Sequence, residues 1–398
     1  MVIKLEKIPQ EERLFMLAWV MYLIIKILSA TFYRKYFPEH LNFYLVCICV
    51  LPLIFYELVN LKRSYRELLG LMICILFIFL TMRLRFMGGG GTDIALMFTF
   101  IYCGRRVSFR RIAKVTIVVT LICLGWVILS SFLGIIPNYV EYGTRVRQYI
   151  GFRYALFGPA FMFNVTLLFL YIKQQTISYK LIIVLAICNW LLYVWTDSRL
   201  SFGLTMISLL FALMGKYKWD YFNQKHWWYW AVIFSFVICA VISLCCTVMY
   251  SGDNLILKSI NDFFGGRLSL GKSSIMQYGV RLWGQNIEWI GNGLDRYGQK
   301  AVGSYLYVDC LYIQLLQHYG VIFTSAIIIL ITLMMVGLYR QHQNYLLILF
   351  GFIAVHCMLD DLSWQLYYNT FWLLIGIMLM RRKDNTFISD LQSSNGRR

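Results

Sequence analysis

Two arginines that adjoin tight turns are the side chains of this sequence best placed to do chemistry. Arg199 follows the short turn 195–198, and Arg267 follows the glycine pair 265–266. A guanidinium group presents parallel N–H donors that suit phosphate and carboxylate oxygens. A single arginine near a membrane boundary more often anchors to lipid headgroups or pairs with a nearby acid. Because these two adjoin turns rather than long helical flanks, we expect them to contact an anionic ligand.

Four further arginines are candidates for binding an anion. Arg145, Arg147 and Arg153 cluster in the connection 136–153, and Arg281 lies later in the chain. Each of them suits an anionic ligand, a lipid headgroup or a nearby carboxylate. Arg153 can also place its charge at the membrane surface from the start of a helix.

Asp309 is the acidic residue that we single out as a candidate functional group. The segment 305–320 is typical of a helix in which Asp309 and Tyr312 share a face with two apolar residues, by three- and four-residue spacing. Asp309 then caps the helix or is held at the boundary as a general base. Capping would lower its pKa, whereas partial desolvation would raise it. His318 falls on the opposite face, where packing or headgroup contact is expected more than partnership with Asp309.

Two further patterns carry less weight. The stretch 266–273 fits the phosphate-loop expression, but that motif needs a preceding strand and cytoplasmic nucleotide, so we do not expect nucleotide binding. His356 and Asp360 are four residues apart and predict a hydrogen-bonded structural pair rather than a metal site, since two ligands are too few. No cysteine spacing predicts a metal site either.

The elements that must position these residues are membrane helices. Of 398 residues, 60% are apolar and 14% are charged, well below the charged fraction of about 25% in soluble domains. The apolar runs have the length of a helix that crosses the hydrocarbon core. We predict about twelve spans, at 14–33, 41–60, 68–86, 92–104, 113–135, 153–172, 179–195, 200–215, 227–250, 320–339, 344–359 and 364–380.

Loop charges predict the orientation of these spans. The connections 61–67, 104–114 and 216–226 and the segment after 380 are rich in Lys and Arg. Cytoplasmic loops hold such an excess, which places both termini in the cytoplasm. The mixed-charge first residues lead into a full-length apolar segment and predict no cleavable signal peptide. Basic inner loops account for most of the net charge of +18 without any nucleic-acid partner.

The chain therefore divides into four predicted regions. Spans one to nine occupy 1–250, and spans ten to twelve occupy 320–383. Between them, 251–319 forms one large external loop, and 384–398 is a cytoplasmic tail. A connection of that length is unusual and tends to be functional. The arginines and Asp309 described above all fall on the external side, against the usual charge bias.

This layout resembles the polysaccharide polymerases of the O-antigen and capsule (Wzy) family, which are related to O-antigen ligases. The turn 196–199, Thr-Asp-Ser-Arg, resembles that family's Thr/Ser-x-Ser-Arg turn. Gly266-Arg267, followed by 291–294, resembles its Gly-Arg and Gly-x-Gly pair. The segment 309–320 resembles its acid-or-His, Asn, Leu-rich helix ending in Gly, although Cys310 replaces the Asn and Asp309 stands where the ligases have His.

The resemblance implies an all-α integral membrane enzyme of the GT-C glycosyltransferase class in the bacterial cytoplasmic membrane. Donor and acceptor would be oligosaccharides on undecaprenyl diphosphate, with no metal or other cofactor, and with a chain-length regulator and a flippase as possible partners. Asp309 would be the general base, and Arg199 and Arg267 would contact the diphosphate. The predicted substrate-binding residues are Arg145, Arg147, Arg153, Arg281, Tyr312 and His318.

Other functions fit parts of the pattern. A flippase for lipid-linked oligosaccharides can also have about twelve spans, but it needs charged or polar groups inside the bilayer. Lys26 is the clear mid-span charge here, and the other charges concentrate outside, which favours an enzyme. A ligase-type glycan transferase shares the layout. A membrane acyltransferase is disfavoured because no His is paired with an acid or Arg early in the chain.

Overall fold

The structure, a computed structural model, describes residues 8–59, 64–85, 91–142 and 145–380. It is mostly helical, at 73%. The predicted tail 384–398 lies outside the described residues. The α-helices are α1 (Arg13–Ser29), α2 (Leu41–Val59), α3 (Tyr65–Arg85), α4 (Gly91–Cys103), α5 (Phe109–Phe132), α6 (Phe157–Lys173), α7 (Tyr179–Thr196), α8 (Arg199–Tyr217), α9 (Trp219–Asn223), α10 (Tyr229–Ile233), α11 (Ser235–Met249), α12 (Leu255–Phe263), α13 (Arg267–Tyr278), α14 (Leu311–His318), α15 (Gly320–Arg340), α16 (Asn344–Leu359) and α17 (Leu373–Leu379).

Six helices in the described part of the chain are long and apolar enough to cross a membrane, judged by length and composition. They are α2, α3, α5, α7, α8 and α15. These apolar helices suggest a membrane protein, in agreement with the predicted class at that level. The count of twelve spans and the GT-C fold stay predictions, because the remaining predicted segments contain shorter helices.

Two predicted spans are interrupted. The segment 227–250 divides at Phe234, whose backbone leaves the helical region between α10 and α11. The segment 364–380 holds only the seven-residue α17, preceded by a 3₁₀ turn at Thr370–Trp372. There the Asn369 side chain accepts a hydrogen bond from the Phe371 amide, at 3.3 Å. Such local bonds compete with a continuous helix. The predicted span 364–380, which rested on apolar composition, is therefore longer than the helix that forms there.

Burial separates the central helix from the peripheral ones. In α6, 15 of 17 residues are buried, whereas 28% of the apolar window is buried in each of α2 and α3. A helix that is apolar all round and buried lies in the protein core, and an exposed apolar helix suits lipid. A buried polar group of α6 is hydrogen-bonded within this core: the Asn164 amide donates to the Thr370 hydroxyl at 3.0 Å.

A buried ionic cluster joins α2, α3 and the 3₁₀ turn Gly104–Arg106. The guanidinium of Arg105, which is fully buried, donates to both carboxylate oxygens of Glu57, at 2.6 and 2.8 Å. Arg106 makes the same two-point contact with Glu67, at 2.7 and 2.8 Å. Part of the basic excess in the connection 104–114 is therefore neutralised by acids from distant segments.

Glu57→Gln is expected to destabilise the fold by about 3 kcal/mol, because it removes the two-point carboxylate partner of a buried guanidinium and leaves Arg105 only the longer carboxylate contact with Glu67, at 3.3 Å. Thermal and denaturant unfolding of the detergent-purified chain, followed by tryptophan fluorescence, would measure the loss. Glu11→Gln is the matched control, since Glu11 is exposed. Equal unfolding midpoints for the two variants would show that this pair does not stabilise the fold.

The long connection after α11 is folded rather than structureless. It contains α12 and α13, and two isolated β-bridges, Ile290 with Leu306 and Leu294 with Lys300, hold its second half. One short antiparallel pair of strands, β1 (Val140–Glu141) with β2 (Arg147–Gln148), lies in the connection between α5 and α6, and the mostly helical structure is consistent with the predicted all-α class. Lys300 bonds Glu141 at 2.8 Å, which ties the two connections together.

Candidate active site

The two folded connections and the ends of several helices enclose a cavity of about 200 Å³. We call it the arginine cavity, because four guanidinium groups and three carboxyl groups line it. These residues are Arg145, Arg147, Arg199, Arg267, Asp197, Asp309 and Asp360. The three residues predicted to be catalytic, which are far apart in the sequence, thus lie around one space. Their roles stay a prediction.

A tight turn positions the first pair of arginines. Asp197 ends α7 in the left-handed conformation, with φ of 46° and ψ of 42°, so that α8 begins at Arg199. The Asp197 carboxylate lies 3.1 Å from Nε of Arg199 and 3.5 Å from Nε of Arg145. One carboxylate therefore holds a helix residue and a residue of the β1–β2 connection at the same edge of the cavity.

A second turn positions Arg267. Gly265 and Gly266 have φ angles of 68° and 86°, a conformation that favours glycine, and they allow α13 to begin at Arg267 directly after α12. The preceding element is a helix, so the strand that a phosphate loop requires does not precede 266–273. Nε of Arg267 lies 3.1 Å from Oδ2 of Asp309, and Nη1 donates to the Phe264 carbonyl at 3.1 Å.

Of the two alternatives for Asp309, a helix cap and a general base, the structure contradicts the cap. Helix α14 begins at Leu311 with Cys310 as its N-cap residue, and no side chain caps it. The bridge between Ile290 and Leu306 belongs to the non-helical segment before it. Asp309 thus lies before the first turn of α14, and its carboxylate faces Arg267 instead.

Burial and neighbouring charges shift the pKa values of both Asp309 and Arg267. Desolvation raises the pKa of Asp309 above the ordinary aspartate value and outweighs the attraction of Arg267 and Arg147. For Arg267, burial opposes the charged form, but the carboxyl groups of Asp309 and Asp360 prevail and raise the pKa. Asp309 is thereby a stronger base than an exposed aspartate, beside a guanidinium that stays charged.

The remaining electrostatics of the arginine cavity favour an anion. Burial, followed by the charge of Asp361, raises the pKa of Asp360 well above its ordinary value, which disfavours the negatively charged form of this carboxyl. The Nε atom of Arg147 is buried and has no hydrogen-bond partner in the described structure. The first residues of α8 and α13 also line the cavity, and helix N-termini attract negative charge.

Four other predicted substrate-binding residues lie away from this cavity. Arg153 donates to the carbonyls of Ser29 and Leu294, at 3.0 and 3.1 Å, and so fastens the long connection to α1. The Tyr312 hydroxyl donates to the Ala354 carbonyl at 2.9 Å, because α14 turns it inward onto α16. His318 is buried against Trp289, with ring centroids 4.3 Å apart, and Arg281 is exposed. Their predicted substrate contacts stay untested.

The structure differs from the sequence-based prediction at His356, Asp360 and Asp197. His356 does not bond the Asp360 side chain as predicted: its Nδ1 pairs with the Ser363 hydroxyl, and the Asp360 carboxylate accepts from the Leu362 amide at 2.9 Å. Both nevertheless line the arginine cavity. The role of Asp197 as a bridge between two arginines was also missed, although it stands inside the 196–199 motif.

In the parts of the chain that the structure describes, no group of three or more His, Cys, Asp or Glu side chains is placed to hold a metal ion. The positively charged side chains in the lining of the arginine cavity are guanidinium groups. No protein-family model matches the chain, and no curated protein or solved structure matches it significantly. The description of the fold and of the site therefore rests on the structure of this chain and on no related protein.

Proposed function

We propose that this protein polymerises oligosaccharide units carried on undecaprenyl diphosphate, by glycosyl transfer at the outer face of the bacterial cytoplasmic membrane. The single observation that carries the proposal is the Arg267–Asp309 ion pair, which lines the same cavity as Arg145, Arg147 and Arg199. A guanidinium cluster for a diphosphate and a basic carboxylate for a hydroxyl are the two requirements of this reaction.

The arginines stabilise the leaving group. When the bond from the anomeric carbon to the phosphate oxygen breaks, its electron pair stays on the lipid diphosphate, and negative charge grows there. Donors that already face that position lower the barrier without reorganising. The Arg267 side chain is 16% exposed, whereas those of Arg145 and Arg199 are 30% and 57% exposed, so Arg267 is assigned the larger share.

Asp309 accepts the proton. The acceptor hydroxyl attacks the anomeric carbon of the donor from the face opposite the diphosphate, so its oxygen forms the new bond and its proton passes to the carboxylate. Inversion at the anomeric carbon follows from this single displacement. The raised pKa of Asp309, caused by burial, improves it as a base. The neighbouring Arg267 opposes this shift and favours the ionised carboxylate.

The position of the cavity suits a lipid-linked substrate. It lies where α8, a candidate spanning helix, begins, and Phe263 and Phe264 of the long connection line it as well. The basic residues Lys216 and Lys218 lie at the opposite end of α8. By the usual charge bias, that end is cytoplasmic, which supports an outer location for the arginine cavity.

A reconstituted reaction tests the proposal. The purified chain in proteoliposomes, supplied with a defined oligosaccharide on undecaprenyl diphosphate and with chelator but no nucleotide, is expected to produce a ladder of lengthening glycans by electrophoresis and mass spectrometry. Absence of a ladder from folded protein would contradict the proposal. A flippase would instead move the substrate across the bilayer without lengthening it, which the same vesicles report through added external glycosidase.

A further inference from the structure

A second cavity, of about 440 Å³, is separate from the arginine cavity and has Asp361 in its lining. We call it the acidic-aromatic cavity. Its polar centre is formed by Asp361, Tyr307 and Gln314, and indole rings of Trp289 and Trp364 form part of its walls. Its volume falls in the range of roughly 300–1,000 Å³ that is typical of small-molecule sites. The reaction proposed above uses none of these residues.

Asp361 is held in place by two donors. The Tyr307 hydroxyl donates to its Oδ2 atom at 2.7 Å, and the Gln314 amide donates to the same oxygen at 2.8 Å. Gln314 is itself fixed by a bond to the Val308 carbonyl at 3.2 Å. Neither donor engages the other carboxylate oxygen, Oδ1. A positioned carboxylate of this kind can accept a hydrogen bond from a ligand hydroxyl.

A third cavity, of about 150 Å³, lies beside both larger ones and shares lining residues with each. It shares Tyr154 and Asn292 with the arginine cavity, and it shares Tyr307 and Asp361 with the acidic-aromatic cavity. A ligand that extends from one large cavity to the other would contact these shared side chains. Phe157 and Leu362 also line the third cavity, whose exposed surface is mostly apolar, so ring stacking and apolar contacts suit it.

The two large cavities differ in charge. Four arginines line the first, whereas the described lining of the second contains Asp361 and Glu288 and no Lys or Arg. A phosphate group is attracted to the first and repelled from the second. Aromatic faces and amide groups around a carboxylate suit a ligand with apolar C–H faces and many hydroxyl groups. Burial raises the pKa of Asp361 to about 6, which leaves mostly carboxylate at neutral pH.

We propose that the acidic-aromatic cavity binds uncharged, hydroxyl-rich glycan, with Asp361 accepting a hydrogen bond from a sugar hydroxyl. The assignment of that glycan as the sugar portion of a reacting substrate rests on the proposed function. The protein then sorts one substrate molecule by charge: the diphosphate binds among the arginines, and neutral sugars bind beside Asp361.

Two probes separate the cavities. The first is a fluorescently labelled mixture of oligosaccharides, released by mild acid from the lipid-diphosphate glycans of the cells that carry this protein. The second is inorganic pyrophosphate. Asp361→Asn is expected to weaken oligosaccharide binding to the purified full chain about tenfold or more, the usual effect of losing a hydrogen bond to a charged group. Pyrophosphate binding is expected to stay within about twofold of wild type.

Matched variants make the test specific. Tyr307→Phe keeps the ring and removes one donor to Asp361, so it too should weaken oligosaccharide binding, and it serves if Asp361→Asn fails to fold. Arg199→Ala should show the reverse pattern, with weaker pyrophosphate binding and unchanged oligosaccharide binding. Asp253→Asn removes an exposed carboxylate elsewhere in the long connection and should change neither.

The outcomes distinguish this inference from the proposed function. Oligosaccharide binding that is absent from wild type, or unchanged in folded Asp361→Asn and Tyr307→Phe variants, overturns the second site even if the wild type makes a ladder of products. Oligosaccharide binding that depends on Asp361, in a protein that makes no ladder, supports the second site and removes the polymerase. Loss of pyrophosphate binding in Asp361→Asn would overturn the sorting by charge.

Discussion

Arg267→Ala is expected to slow glycan polymerisation by about 10²-fold or more, the usual effect of removing one preorganised group that stabilises developing charge. The Arg267 side chain is 16% exposed, so little water shields its interaction with a diphosphate. Arg199 is 57% exposed, and Arg199→Ala should therefore cost less. Arg267→Lys should recover part of the rate, because it keeps the charge but not the two-point contact.

Initial rates of ladder formation at saturating and subsaturating donor measure these effects. A transition-state role lowers kcat and kcat/KM together, whereas a purely binding role raises KM alone. Lys258→Ala is the control, since it removes one exposed positive charge from α12 without changing the lining of the arginine cavity. If Arg267→Ala polymerises within a few-fold of the control while remaining folded, the leaving-group role of Arg267 is wrong.

Asp309→Asn is expected to lower kcat by about 10²- to 10⁴-fold, the range for loss of a positioned general base. Asparagine is close in size and can still accept a hydrogen bond from Arg267. Donor binding should therefore persist, and KM for the donor should stay similar or fall, because the carboxylate no longer competes with the diphosphate for Arg267. The same comparison with exposed Asp253→Asn controls for the loss of one negative charge.

The pH profile gives an independent readout of Asp309. The base must be deprotonated to act, so the rate rises as pH increases through its pKa. Burial raises that pKa above the ordinary aspartate value, and the rising limb is displaced to higher pH than an exposed aspartate would give. Asp309→Asn should abolish this limb. Persistence of the same limb in the variant would assign the base to another group, and Asp360 and Asp361 would be the next candidates.

The arginines and Asp309 could be selected from the sequence because the features that mark them are local. Glycines before Arg267 and the short turn before Arg199 are visible in the chain, and the structure shows positive φ angles at Asp197, Gly265 and Gly266. Their order along the chain also suggested the resemblance. By contrast, nothing local indicated that Asp309 pairs with Arg267, 42 positions earlier, rather than capping α14.

Residues of the same type that are close in the sequence have different surroundings in the structure. Arg147 and Arg153 are six positions apart in one basic connection, yet Arg147 lines the arginine cavity and Arg153 bonds two carbonyl groups of the scaffold. Asp360 and Asp361 are adjacent, yet only Asp360 lines the arginine cavity and only Asp361 lines the acidic-aromatic one. Such differences depend on which helices pack together, and residue type does not encode them.

Hydropathy and segment length were enough to predict that this protein is built of apolar helices, with a long polar connection between them, because both properties act locally on each segment. Residue types also indicated which side chains could bind an anion. Three-dimensional packing is what brings Arg199, Arg267 and Asp309 around one cavity and places Asp361 at another. Those encounters join residues up to 110 positions apart, and they follow from how the helices and the folded connections pack in three dimensions.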